Sequence, residues 1–212
     1  ALALKNNGNT LAIGDPLFDG DNTPDNGHVR VYDLATSNEG VQNWALRGEA
    51  IEGANAGDKS GESVDLSDDG NTLAIGSPEN DSGGTNSGQI RVFEWVNNAW
   101  AAKGSPITGT GNAVGEKRGL RGSLSLSADG TVLASGGRLF DSTRGRVSVY
   151  KYRGNVLGWQ QRGVDLLIPD KPNGEAGASV DLSENGESII IGGPLVNTDN
   201  GTDSGSAAIL DW

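Results

Sequence analysis

The stretch at residues 2–14, LALKNNGNTLAIG, returns at residues 64–76, 124–136 and 180–192 of this 212-residue chain. Each copy holds a short run of alternating apolar residues, an Asn-Gly or Asp-Gly pair, and a second apolar run. Asn-Gly and Asp-Gly are strong signals for a two-residue type I′ hairpin, in which both central residues have positive φ. The sequence therefore predicts two antiparallel strands in each copy.

Two further motifs follow in a fixed order, the first after all four copies and the second after the first three. The pattern Gly-x-apolar-x-apolar-aromatic begins at Gly27, Gly88 and Gly145 and, more weakly, at Gly205. The pattern Trp-x-x-[Lys/Arg]-Gly-x-x-[Ile/Leu] begins at Trp44, Trp100 and Trp159. These motifs predict a third and a fourth strand, and helix is nearly absent because no segment sustains a period of 3.6 residues.

Four antiparallel strands that recur every 56 to 62 residues are typical of the blades of a β-propeller. We predict one all-β domain over residues 1–212, with blade units at about 1–55, 56–113, 114–172 and 173–212. The last unit stops before its fourth strand, which gives about 3.75 blades. The chain is then a four-bladed ring that lacks one strand, a portion of a larger propeller, or a propeller completed by a strand from a neighbouring chain. The second is favoured.

Composition excludes several classes of function. The chain carries 28 acidic and 16 basic residues, a formal net charge of -12, which argues against nucleic acid as a partner. No apolar run is long enough for a membrane helix, so we expect no membrane insertion. Without cysteine the chain has no disulfide, thiol nucleophile or Cys-ligated zinc, and its one histidine leaves little room for acid–base catalysis. We therefore predict that the protein is not an enzyme.

Residues 61–66 (GESVDL), 73–78 (LAIGSP) and 88–93 (GQIRVF) resemble an FG-GAP repeat, the blade of integrin-α-type propellers. The resemblance extends over essentially the whole chain. It implies a propeller ring, an extracellular or cell-surface location, and adhesive or ligand-binding roles without catalysis. It also implies a calcium loop between the first two strands of a blade. The sequence departs from the family there, because residues 67–71 (SDDGN) are too short to wrap a cation with six to eight oxygen ligands.

Three sets of residues are candidate sites. Asp19, Asp21 and Asp25 are candidate calcium ligands. The alternative is that they lie in a solvated loop, and we predict no other cofactor. Trp44, Trp100 and Trp159 share one position of the repeat, which predicts packing between blades or, alternatively, the stacking of sugars. Asn80 and Asn200 begin N-glycosylation sequons in loops that we expect to be exposed.

These observations predict a non-catalytic, extracellular structural or interaction module. It would associate with itself or with other extracellular proteins or glycans, as a surface filament or an adhesive layer. We expect the unpaired edge at residues 205–212 to dock a further strand. The alternative is a calcium-dependent carbohydrate-binding or cell-adhesion domain of a larger protein.

Overall fold

A computed structural model describes residues 1–21, 23–109, 118–119, 122–167, 174–197 and 201–212. The described residues form four antiparallel sheets in chain order, each of three to five strands. The predicted all-β class and the propeller blades are confirmed. We number these sheets as blades 1 to 4.

The first three strands of each blade pair in chain order, and the later strands pair with the third. The first strands of neighbouring blades contact one another and are the innermost. Blade 1 consists of β1 (Leu2–Lys5), β2 (Thr10–Asp15), β3 (His28–Thr36), β4 (Gln42–Leu46) and β5 (Ile51–Glu52). Blade 2 consists of β6 (Ser63–Leu66), β7 (Thr72–Ser77), β8 (Gln89–Val96), β9 (Ala99–Ala102) and β10 (Ile107–Thr108). Blade 3 consists of β11 (Leu124–Leu126), β12 (Val132–Gly136), β13 (Val147–Tyr152) and β14 (Trp159–Gln161). Blade 4 consists of β15 (Ser179–Leu182), β16 (Ser188–Gly193) and β17 (Ser206–Asp211).

The helices described are two single turns in blade 3, α1 (Phe140–Thr143) and α2 (Gly154–Leu157). Neither has the length or the apolar character that crossing a membrane would require. The low helix content agrees with the missing 3.6-residue period in the sequence.

The Trp-x-x-[Lys/Arg]-Gly motif forms two strand segments in blades 1 and 2, where the sequence predicts one. In blade 1, β4 and β5 both pair with β3, and Gly48 lies between them with a φ of 75°. In blade 2, β9 and β10 both pair with β8, and Gly104 has a φ of 81°. A left-handed residue bends the chain out of the ladder, which is a conformation that glycine adopts without strain.

The prediction of a type I′ hairpin is wrong for blades 2, 3 and 4. There the glycine alone has a positive φ, 69° at Gly70 for example, whereas the preceding Asp or Asn does not. The reason lies in a side-chain network. In blade 2 the Ser67 hydroxyl donates to Asp69 Oδ1 at 2.6 Å and accepts the Thr72 N–H at 2.8 Å, which holds a wider turn. In blade 1, where Lys5 replaces the serine, Asn6, Asn7 and Gly8 all have positive φ.

The apolar core lies between the blades and not within any one of them. Three clusters of buried side chains join blade 1 to blade 2, blade 2 to blade 3, and blade 3 to blade 4. Because a single sheet cannot bury both of its faces, each blade depends on its neighbours for its core. The packing between blades therefore determines where this molecule has surfaces that can bind.

Candidate interaction surface

Each blade has two faces, and the contact between them repeats along the chain. We call the side that meets the preceding blade the back face and the side that meets the following blade the front face. At the first junction, Val29 and Val31 on the front face of blade 1 pack against Leu66 and Leu73 on the back face of blade 2. All four side chains are at most 1% exposed. The alternation of side chains along each strand produces the two faces.

Glycines allow the blades to approach closely at all three junctions. A Cβ atom at Gly14 would lie 2.1 Å from the carbonyl oxygen of Gly61 in the next blade. The corresponding distance is 2.4 Å from Gly76 to the Gly119 oxygen and 2.0 Å from Gly136 to the Gly177 oxygen. No side chain fits at these distances. The glycine at or beside the end of the second strand in blades 1 to 3 therefore sets the spacing between blades.

The tryptophans of the third motif bind the preceding blade through their indole N–H groups. Trp100 Nε1 donates to the carbonyl of Arg47 at 3.0 Å, and Trp159 Nε1 donates to the carbonyl of Lys103 at 2.7 Å. Trp159 is buried, whereas Trp44, at the same position of blade 1, is 43% exposed. Two of the three predicted tryptophans thus lie at blade junctions, and the third lies on the back face of blade 1.

The basic residue of the same motif makes a second contact across each junction. Arg47 Nη1 and Arg162 Nη1 donate to the carbonyls of Gly70 and Gly186, each at 3.1 Å, and Lys103 Nζ donates to the carbonyl of Gly130 at 3.0 Å. Each cation also lies 4.8 to 5.3 Å from the centre of an aromatic ring, that of Trp95, Trp212 or Tyr152. Burial lowers the pKa of Lys103, which nearby carboxylates partly offset.

Sequence reasoning missed the role of this cation, although its signal was present. A basic residue at one fixed position of three repeats, three residues after a tryptophan, is the pattern that encodes it. The backbone carbonyl of the basic residue accepts the indole N–H of the next blade. Its side chain donates to a carbonyl in the hairpin turn of that next blade. The motif therefore joins blades in both directions.

The innermost strands are joined by side chains that accept backbone N–H groups of the following blade. Asp65 Oδ2 accepts the N–H of Leu126 at 2.7 Å, and Ser125 Oγ accepts the N–H of Leu182 at 3.0 Å. Burial raises the pKa of the Asp65 carboxyl, against the lowering effect of the hydrogen bonds that it accepts from the N–H groups of Leu126 and Leu66. Asp181 occupies the same position of blade 4, on an exposed part of the surface.

The two outer faces expose side chains whose equivalents are buried at the junctions. Leu2 on the back face of blade 1 is 71% exposed, whereas Val64, Leu124 and Val180 at the same position are each 8% exposed. Ile209 on the front face of blade 4 is 71% exposed, whereas Val31, Val92 and Val149 are at most 4% exposed. We call these two faces the end faces. Their apolar side chains are exposed because no further blade of this chain packs on them.

Two surface grooves lie at equivalent places on the outer rim of the first two junctions. One, of about 510 Å³, is lined by Phe93 and Trp100, and the other, of about 650 Å³, by Tyr150 and Trp159. The larger groove also contains the polar side chains of Asn155 and Gln160. Aromatic rings beside polar groups are a surface on which a sugar can stack.

The structure does not gather the carboxylates of Asp19, Asp21 and Asp25 into a ligand set. All three are exposed, and Asp19 Oδ1 accepts the backbone N–H of Asp25 at 2.8 Å. Within the described ranges, no three Asp, Glu or His side chains are grouped in a way that could hold a metal ion. The arrangement is that of a loop held by its own hydrogen bonds.

The two predicted glycosylation sites differ. The Asn80 side chain is fully buried, with its Nδ2 donating to Asp58 Oδ2 at 2.9 Å, so this nitrogen is inaccessible in the folded blade. That disagrees with the prediction of an exposed sequon at Asn80. The bond to Asp58 holds the loop between β7 and β8 inward at this residue, and Asn80 Oδ1 also accepts the N–H of Ser82. Asn200 lies outside the described residues.

The only histidine is a packed side chain of blade 1. His28 is 4% exposed, and its ring lies 3.9 Å from that of Phe18, centre to centre. Burial and the positive charge of Arg30 lower its pKa, so the ring is neutral near pH 7. The equivalent positions of the other repeats hold Gln89, Arg146 and Ser206, a variation that favours a solvent-facing residue, but the structure buries the histidine.

Comparisons with known proteins identify the repeat and the fold. Residues 52–93 match the FG-GAP repeat family model. No curated protein matches the chain by sequence. Among solved structures, the chain is similar over its whole length to TolB from Acinetobacter baumannii, with 16% identity and a TM-score of 0.50. It is also similar to hydrazine synthase from Kuenenia stuttgartiensis (15%, 0.52) and to the periplasmic gluconolactonase PpgL from Pseudomonas aeruginosa (16%, 0.51).

The chain spans only part of those proteins, 40% of TolB, 58% of the hydrazine synthase chain and 56% of PpgL. At this level of identity the likeness concerns the fold. With the four sheets and the repeating junctions, the comparisons show that the chain is a β-propeller segment with an FG-GAP repeat at residues 52–93.

Proposed function

We propose that this propeller segment is a non-catalytic interaction module that works outside the cell and associates with itself through its end faces. One observation carries the proposal, namely that positions buried at all three junctions are exposed on both end faces. The resemblance to FG-GAP proteins supports the extracellular location, and the burial of the only histidine supports a role without catalysis.

The two end faces are complementary in kind. At each junction a front face packs against a back face. The front face of blade 4 in one chain can therefore pack against the back face of blade 1 in another. Contact between such different surfaces of identical chains is heterologous, and it produces rings or open filaments. Burying Leu2 and Ile209 would contribute about 1.5–3 kcal/mol per side chain.

The test is the mass of the 212-residue chain by light scattering, with electron microscopy of the same samples. We expect rings or filaments from the wild type. Leu2→Asp and Ile209→Asp each place a charge on one end face, so each variant alone should be a monomer. A mixture of the two should form 1:1 dimers, because each variant keeps one intact end face.

Val156→Asp is the matched control, because Val156 is 96% exposed and lies on neither end face. This variant should associate as the wild type does. Circular dichroism of all variants excludes unfolding as the cause of a change. A monomeric wild type, or a mixture of the two face variants without dimers, would overturn the proposal.

A second candidate function is sugar binding, which the two rim grooves favour. It places a glycan against Tyr150 and Trp159 and predicts loss of binding in Tyr150→Ala. A glycan array with and without chelator tests it and also tests whether calcium takes part. Binding that survives Tyr150→Ala, or an array on which the wild type binds nothing, would contradict this candidate.

A further inference from the structure

The connection between β13 and β14 in blade 3 is longer than the equivalent connection between β8 and β9 in blade 2. Two asparagines join the strands in blade 2, whereas residues 153–158 join them in blade 3 and contain α2. Asn155, Val156 and Leu157 of α2 line the larger of the two rim grooves. Insertions into single repeats often lie on the binding face of a repeat protein. The inserted turn therefore enlarges this groove relative to the one at the first junction.

The lining of the larger groove is uncharged. None of the described residues that line it is Asp, Glu, Lys or Arg, although charged residues make up 21% of the chain. The smaller groove, by contrast, contains Glu49. A charged ligand would lose hydration in the larger groove without meeting an opposite charge on its lining. The lining therefore favours a ligand that carries no charge.

Three polar side chains of the larger groove keep hydrogen-bonding capacity. Asn155 accepts the hydroxyl of Tyr152 with its Oδ1, which leaves its Nδ2 as a donor. Gln160 donates its Nε2 to a backbone carbonyl at 2.6 Å, which leaves its Oε1 as an acceptor. Tyr150 contributes a hydroxyl where Phe93 lines the smaller groove. Because a sugar hydroxyl both donates and accepts, a carbohydrate matches this mixture of donors and acceptors.

We propose that the groove between blades 2 and 3 binds an uncharged carbohydrate. Its volume of about 650 Å³ lies within the range of about 300–1,000 Å³ that is typical of small-molecule sites. A sugar ring lies against Tyr150, and its hydroxyls bond to Asn155 and Gln160. Trp159 is buried and gives its indole N–H to the carbonyl of Lys103, so it supports the groove from behind.

This inference rests on the second candidate function, sugar binding, and names the class of sugar and the groove that takes it. Blades 2 and 3 each pack against another blade on their other side, so neither wall of the groove belongs to an end face. Self-association through the end faces can therefore succeed or fail independently of this inference.

The probes are four uncharged hexasaccharides, namely cellohexaose, maltohexaose, mannohexaose and chitohexaose, titrated into the full chain in a calorimeter. Hexagalacturonate and fully deacetylated chitohexaose are their charged counterparts. We expect saturable binding of at least one uncharged probe and at least tenfold weaker binding of both charged ones. Equal or tighter binding of a charged probe, lost in Tyr150→Ala, would overturn the inference and leave the sugar-binding candidate standing. No binding of any of these probes would overturn both.

Asn155→Asp keeps the acceptor for the Tyr152 hydroxyl, removes the amide donor and places a negative charge in the groove. This variant should bind the uncharged probe at least tenfold more weakly. Asn97→Asp is the matched control, because Asn97 is exposed in the shorter connection of blade 2 and lines neither groove. It should bind as the wild type does.

Tyr150→Phe removes one hydroxyl and makes the larger groove resemble the smaller one. We expect about three- to tenfold weaker binding, the effect of one hydrogen bond, and urea denaturation shows that each variant remains folded. Binding that survives both Asn155→Asp and Tyr150→Phe would overturn the inference. If that binding is still lost in Tyr150→Ala, the candidate function stands without it.

Discussion

The third junction and the front face of blade 4 present the same positions of the repeat in two environments. At the junction, Val147 and Val149 of blade 3 are at most 1% exposed because Ile189 and Ile191 of the next blade cover them. On the end face, Ile209 at the position of Val149 is 71% exposed. The comparison teaches that the repeat encodes two apolar faces in every blade. Each face is core where another blade covers it and an exposed apolar surface where none does.

Equivalent residues of the repeat also differ in whether they contact another blade. Gly136 and Gly192 are equivalent in sequence, as are Trp159 and Trp44. In each pair one member contacts a neighbouring blade and the other does not. Matched substitutions in such pairs measure what the junction contributes.

The largest expected effect comes from adding a methyl group at a junction glycine. In Gly136→Ala the new Cβ would lie 2.0 Å from the Gly177 carbonyl oxygen, which belongs to rigid backbone, so the blades must separate. We expect the free energy of unfolding to fall by about 3 kcal/mol. In Gly192→Ala the close atom, at 2.3 Å, is the Ser179 hydroxyl, which can rotate away.

Urea denaturation of both variants measures the difference. Gly192→Ala should cost less than about 1 kcal/mol, because the close hydroxyl can move whereas backbone cannot. Similar losses in the two variants would mean that the glycine serves its own strand and not the approach of the next blade.

A smaller effect is expected from removing the indole N–H. In Trp159→Phe the buried carbonyl of Lys103 loses its 2.7 Å hydrogen bond, which should lower the free energy of unfolding by about 2 kcal/mol. Trp44→Phe is the control, since the exposed Trp44 makes no such bond to another blade, and we expect a change within about 0.5 kcal/mol. If Trp44→Phe proves as costly, the back face of blade 1 is covered in solution, which supports self-association.

Much of the fold is readable from the sequence because four copies of one pattern report the same strands. The alternation at residues 64–66 and the motifs at Gly88 and Trp100 correspond to β6, β8 and β9. Local turn geometry is less readable. An Asp-Gly pair signals a tight turn, but Ser67 two residues earlier binds Asp69 and widens it, so a side chain overrides the local preference.

The candidate site was harder to predict, because its chemistry depends on pairs of residues from different repeats. The hydrogen bond from Trp100 to the Arg47 carbonyl joins residues 53 positions apart, and no spacing within one repeat reveals it. The burial of Asn80 likewise depends on a residue outside its own motif. Its sequon suggests a surface loop, whereas Asp58 of the preceding link draws the amide inward.

The smallest expected effect concerns pH and the buried carboxyl of Asp65. Because burial raises its pKa in the folded chain, the folded state binds this proton more tightly than the unfolded state does. The contribution of Asp65 to stability therefore falls as pH rises from its unfolded value through the raised folded one, and is constant above that. Asp65→Asn removes this titration, so the difference in unfolding free energy, wild type minus variant, should decrease with rising pH.

Urea denaturation of the two proteins at intervals from pH 4 to pH 7 checks the sign, since other titrating groups cancel in the difference. A difference that increases with pH would mean that the hydrogen bond from the Leu126 N–H outweighs burial. Asp65 would then favour its charged form, and the junction of blades 2 and 3 would be stabilised by that charge. The outcome decides whether ionisation of Asp65 weakens or strengthens the junction of blades 2 and 3.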